Sequence, residues 1–144
     1  MKADPTCVFC KIVSGSLEAA IVFEDESSLA FLDNRPLFHG HTLLIPKEHV
    51  ETLPDLAPNL VNQFFSNLQI TCRGVETAMD AEGTFVALNN RVSQSVPHLH
   101  VHVVPRRKKD GLKGFFWPRT KYADDEQLQE VRARVRSAIS KSRK

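Results

Sequence analysis

Residues 98–102 read His98-Leu99-His100-Val101-His102, and Val103-Val104-Pro105-Arg106 follow. Side chains of a β-strand alternate between its two faces. The pattern predicts a strand with His98, His100 and His102 on one face, about 7 Å apart from the strand rise. Leu99, Val101 and Val103 take the other face, where they can be buried. Three imidazoles in a row serve no packing need. They desolvate poorly, and each neutral ring needs partners at two nitrogens. Such a row points to chemistry.

His100 sits in the middle. A neutral imidazole is a good nucleophile toward phosphorus when one nitrogen is free and an acceptor holds the N–H of the other. The preceding segment is Ser93-Gln94-Ser95-Val96-Pro97. Gln94 and Ser95 offer neutral donors for phosphate oxygens or a leaving group, and Pro97 restricts the approach to the strand. A second histidine set, His41 and His49, brackets Thr42–Glu48. Cys7-Val8-Phe9-Cys10 has the spacing of a metal knuckle, though Cys-x-x-Cys also suits a redox pair. Two cysteines and two histidines complete a tetrahedral structural zinc site, and His49 and His98 are the candidates for the second pair.

The bulk numbers fall in the usual range of soluble globular domains. The chain of 144 residues suits one domain, and its net charge of +2 gives no case for nucleic acid. No apolar run is long enough to cross a bilayer, and the first residues lack a signal-peptide stretch. The expected location is the cytosol, where cysteines stay reduced. Arg106-Arg107-Lys108-Lys109 is a solvated basic tip or a steering patch for polyphosphate.

Periodicity predicts an α+β domain with a mainly antiparallel five-stranded sheet and helices on one side. The strands are expected at 20–24, 29–33, 41–45, 84–88 and 99–104, and a short helical turn at 7–14. A long helix is expected over 58–79, with Val61, Phe64, Phe65, Leu68, Cys72, Val75 and Met79 on its apolar stripe and Cys72 buried there. A last helix, capped by Asp124 or Asp125, should turn Leu128, Val131, Val135 and Ile139 inward.

The order His-φ-His-φ-His-φ-φ at 98–104, with φ apolar, resembles the histidine triad (HIT) family of nucleotide hydrolases and transferases. The likeness extends over most of residues 7–106, through Phe9–Val13, Phe23–Glu26, Leu29–Asp33 and Gly40–His49. It implies a HIT-like fold in a single domain, 1–144, with a core at about 7–106 and a C-terminal extension at 107–144. It implies that His100 attacks the α-phosphorus of a purine nucleotide derivative such as a nucleoside phosphoramidate. A nucleotidyl-histidine intermediate then releases AMP or a similar monophosphate. His102 and His41 would stabilise the phosphate, with Ser95 at the leaving group and Gln94 at the phosphate. Asp33 would bind the ribose, Phe9, Ile12, Phe31 and Leu32 the base, and Asn89 would line the pocket. The zinc-bearing bacterial members imply Cys7, Cys10, His49 and His98 as ligands of a structural zinc. A homodimer is implied, and neither membrane nor nucleic acid is expected as a partner.

The sequence departs from the family in two places. Asn89–Gln94 is short, lacks glycine and carries Arg91, which alters the leaving-group contacts. Gly111–Arg119 holds a Trp117-Pro118 pair that either reaches toward a partner's pocket or packs at an edge. Other readings are a hydrolase or phosphorylase of dinucleoside polyphosphates, a non-catalytic nucleotide sensor, and a metal-dependent hydrolase using His98 and His100. The last leaves Cys7, Cys10 and His49 without a role.

Overall fold

The computed structural model describes residues 2–112 and 119–143. They fall in two compact units, Met1–Asp110 and Gly111–Lys144. In the first unit, α1 (Val8–Val13) precedes β1 (Ile21–Glu24), β2 (Ser28–Leu32) and β3 (Thr42–Pro46). Then come α2 (Pro58–Met79), β4 (Gly83–Ala87) and β5 (Val101–Arg106). The five strands form one sheet in the order β1-β2-β3-β5-β4. Every neighbouring pair is antiparallel.

Local chemistry explains the turns. Asp25 Oδ1 accepts the backbone N–H groups of Ser27 and Ser28, each at 2.8 Å, which closes the β1–β2 hairpin. Asn67 on α2 donates to Asp25 Oδ2 at 2.7 Å and ties the helix to that turn. The long helix spans the residues its periodicity predicts, but its buried face differs. Phe65 is exposed, whereas Asn67 and Thr71 are buried. Their polar groups are satisfied by Asp25, by Gln63 and within the helix itself, so they enter the interior without an unpaired atom. Cys72 is only half-buried.

The alternation of the strands produces two cores. Ala30, Leu44, Val101 and Val103 pack with Phe64, Leu68 and Val75 of α2. Leu29, Phe31, Leu43 and Ile45 pack with Cys7, Phe9, Cys10 and Ile12 around α1. Because adjacent residues of a strand point to opposite faces, α2 and α1 cover opposite sides of the sheet. The expected one-sided arrangement is corrected accordingly. His102 pairs with Leu43 across β3 and β5, so its side chain lies on the α1 side.

A second correction concerns the histidine row. β5 begins at Val101, so only His102 of the three lies in the strand. The Leu99 N–H bonds Val50 O at 2.7 Å instead of a sheet neighbour. Residues 98–100 lie outside the ladder, and the side chains of His98 and His100 bond at the site described below.

In the second unit, α3 (Asp125–Ser142) is capped by Asp124, whose side chain accepts from Gln127 N. Leu128, Val135 and Ile139 are 39%, 53% and 57% exposed, so the expected inward face is not buried. Helical spacing identifies residues that share a face. It does not supply a surface to cover them. The expectation for Gly111–Arg119 falls mostly on residues 113–118, outside the described residues.

Gly40 leads into β3 with φ +95°, and a Cβ there would lie 2.5 Å from Met79 Cγ. Both facts require glycine at this position. Gly40→Ala is expected to cost about 1–3 kcal/mol. A urea titration checks this; an unchanged midpoint would mean the turn relaxes freely.

Candidate active site and metal centre

Cys7 caps the N-terminus of α1, and Cys10 lies one turn later. The Cys10 N–H donates to Cys7 Sγ at 3.4 Å. His98 Nδ1 lies 3.4 Å from Cys7 Sγ and 3.7 Å from Cys10 Sγ. His49 Nδ1 lies 3.4 Å from Cys10 Sγ. All four side chains are buried, and their donor atoms lie within 4.8 Å of one another. Sulfur and nitrogen bound to one tetrahedral zinc stand about 3.6 Å apart, from bond lengths near 2.3 and 2.05 Å. The four residues therefore fit the ion. The outer contacts agree. His98 Nε2–H donates to Pro46 O at 2.8 Å, which leaves Nδ1 as the ligand nitrogen. Burial drives the His98 imidazole down to about 4, so the ring is neutral and its lone pair is available. Burial pushes the Cys10 thiol up; a bound cation would reverse that.

Directly beside this cluster stands His100, also buried. Its Nδ1–H donates to the His98 carbonyl at 2.7 Å. With the proton on Nδ1, the lone pair is on Nε2, as a nucleophile toward phosphorus requires. Phe9 packs edge-on against His100 and His98, with ring centroids 5.2 and 5.8 Å away, and against Phe31 at 5.4 Å. Phe9 thus joins the cysteine helix to His100.

His102 is the next ring along, 5.2 Å from that of His100. Its Nδ1 lies 2.9 Å from His41 Nε2, and Asp33 Oδ2 lies 3.7 Å from the same His41 nitrogen. The Leu37 backbone N–H donates to His41 Nδ1 at 3.1 Å. No side-chain motif marks this donor, so it was not legible in the residues; the same is true of the Pro46 carbonyl. Burial lowers His102 to about 4, reinforced by the neighbouring His100 and His41 and opposed by Asp33. Burial also lowers His41, again against Asp33.

The remaining expected residues are placed unevenly. Phe9, Ile12 and Phe31 come together in the α1-side core. Leu32 pairs with Thr42 and lines a cleft of about 600 Å³ on the α2 side, with Val22, Phe23, Ile70 and Met79. Gln94 bridges its own loop: Oε1 accepts from Arg91 N at 2.8 Å, and Nε2 donates to Glu51 O at 2.6 Å. Asn89 is exposed and donates to Ser93 O at 3.1 Å, and Ser95 is exposed. Although the loop lacks glycine, Arg91 and Ser93 take φ of 72° and 61°. That conformation costs roughly 1–2 kcal/mol per residue, and the Gln94 bridge opposes it. Two side chains of the basic run are engaged. Arg106 pairs with Asp110 at 2.6 Å, and Arg107 donates to Met79 O at 2.6 Å.

A five-stranded antiparallel sheet carrying this histidine constellation is a HIT domain. The HIT domain family matches residues 14–109, and the chain belongs to it. It is 35% identical to "Protein hit" of Bacillus subtilis, over 99% of this chain and 100% of that protein. It is also 35% identical to "Adenosine 5'-monophosphoramidase hnt1" of Schizosaccharomyces pombe, over 78% of this chain and 84% of that one. Among solved structures, a zinc-bound histidine triad protein from Mycobacterium smegmatis is 38% identical with a TM-score of 0.70, over 94% and 96% of the two chains.

Two outcomes follow. Cys10→Ser should lose bound zinc and unfold with Met1–Asp110 at lower denaturant, because metal binding to a preformed site is folding free energy. Metal analysis with urea melts checks this, and full zinc retention would contradict the ligand set. The acid response follows from the histidines. His41 and His102 lie below their usual 6.5 in the folded state, His102 at about 4. Between pH 6.5 and 4 the unfolded chain therefore binds protons that the native chain does not. Stability should hold above about pH 6.5 and fall as pH drops toward 4. His102→Asn should flatten that slope in urea melts at stepped pH, and an unchanged slope would contradict it.

Proposed function

We propose that this chain hydrolyses a purine nucleoside phosphoramidate at the α-phosphate through a nucleotidyl-His100 intermediate. The observation that carries the reading is the 2.7 Å bond from His100 Nδ1–H to the His98 carbonyl, which leaves Nε2 to attack. Its lone pair forms the N–P bond as the bond to the leaving amine breaks, and the amine takes up a proton from solvent. Water then attacks the same phosphorus, releasing AMP and restoring His100. His102 and His41 stabilise charge on the phosphoryl oxygens, Ser95 and Gln94 meet the leaving group and phosphate, and Asp33 holds the ribose. Phe9, Ile12 and Phe31 contribute to the base pocket with Asn89; Leu32 lines the opposite face of the sheet and is left out of it. The phosphoramidase name of the fission-yeast relative supports this choice of substrate.

Cys7, Cys10, His49 and His98 would hold a structural zinc, whose contribution is to cross-link α1 to the segment carrying His100. The same reading includes a cytoplasmic homodimer. Phe65 and Val86, 39% and 41% exposed near the β4 edge, provide apolar surface for it, and a monomeric sedimentation profile would reject that part. A dinucleoside polyphosphate substrate gains little support, since Arg106 and Arg107 already have partners.

Adenosine 5′-phosphoramidate tests the reaction. Wild type should release AMP, and His100→Ala should lose on the order of 10⁴-fold in kcat. Equal release by both would reject the nucleophile. Tight nucleotide binding without product from wild type would indicate a sensor.

A further inference from the structure

The three catalytic-side imidazoles have different hydrogen-bond partners, and one partner is a main-chain amide. The Leu37 N–H points at His41 Nδ1, 3.1 Å away. A nitrogen that accepts carries a lone pair. Neutral His41 must then hold its proton on Nε2. That nitrogen lies 2.9 Å from His102 Nδ1, so His41 is the donor and His102 Nδ1 the acceptor. Neutral His102 then holds its own proton on Nε2. One backbone N–H fixes two tautomers in succession.

We propose that the Leu37 backbone amide is a positioning group that locks the His41–His102 pair in one tautomer, so that His102 presents Nε2–H to the substrate phosphate. The last clause rests on the hydrolase reading; the tautomers do not. The lock divides the labour in the triad. His100 has its proton on Nδ1 and a lone pair on Nε2. His102 has the reverse arrangement, so it is a donor and not a competing nucleophile. The lock also blocks proton passage beyond His41. Taking a proton onto Nδ1 would set two N–H groups against each other at Leu37.

The same geometry settles a second question. Asp33, His41 and His102 place three donor atoms within 4.8 Å of one another, as a metal site would. A cation there needs the lone pair of His41 Nε2. Metal-binding histidines normally donate their other N–H to an acceptor, and Leu37 offers a donor. The cluster is therefore a hydrogen-bonded chain.

NMR of the ring nitrogens, on the isotope-labelled, zinc-loaded full chain, tests this. The expected spectrum has Nε2 protonated in both His41 and His102, and a through-hydrogen-bond coupling between the Leu37 amide nitrogen and His41 Nδ1. A proton on His41 Nδ1, or no such coupling, overturns the proposal. Leu37→Pro removes the donor. His41 should then lose its single tautomer, and kcat should fall on the order of tenfold with less effect on KM. Wild-type tautomers in Leu37→Pro overturn it. Leu37→Ala keeps the N–H and should keep both tautomers; their loss there would assign the effect to the side chain and overturn it as well. Should Leu37→Pro not fold, the wild-type coupling decides. Absent AMP release with both tautomers intact would reject the phosphoramidate reading and leave the lock standing.

Discussion

His98 is bonded in three directions, and the site depends on that. Its Nδ1 faces the two thiols, its Nε2–H is held by the Pro46 carbonyl, and its own carbonyl accepts from His100. The ring is fully buried. A buried imidazole is tolerated only when both nitrogens are satisfied, and here that requirement also fixes the backbone. Once residue 98 is held, the acceptor for His100 is fixed in space. The orientation of the His100 ring is a consequence of how its neighbour two residues earlier is buried.

The sheet separates two tasks. On the α2 side, Ala30, Leu44, Val101 and Val103 form an apolar core, with Asn67 and Thr71 the buried polar side chains of the covering helix. On the α1 side, alternate residues of the same strands surround cysteines and aromatic rings. Phe9 spans that side, touching Phe31, His98 and His100. It is both a core residue and a wall of the site. A change there should disturb the four-donor cluster and His100 together, whereas a change on the α2 side should act mainly on stability.

Much of this was legible in the residues. Short apolar runs bounded by turn residues located the five strands within a residue or two, and helical spacing located Pro58–Met79. Cys7, Cys10, His49 and His98 converge as their donor types suggested. Other features depend on partners that no side-chain pattern encodes. The departure of residues 98–100 from the ladder follows from the Leu99–Val50 bond. Asn67 replaces Phe65 on the buried face because Asp25, far away in sequence, receives its amide. Backbone groups at Leu37, Pro46 and Glu51 organise His41, His98 and Gln94, and every residue type carries such groups. The apolar stripe of α3 was read correctly as a stripe, but its burial was not a property of that helix alone.

In the proposed reaction His100 Nε2 takes the nucleotidyl group. The most direct test is to mix the zinc-loaded chain with excess adenosine 5′-phosphoramidate, quench within the first turnover, and map the labelled peptide by mass spectrometry. An adenylyl group on His100 is the predicted result. An adenylyl group on His41 or His102, or turnover without any labelled protein, would contradict it.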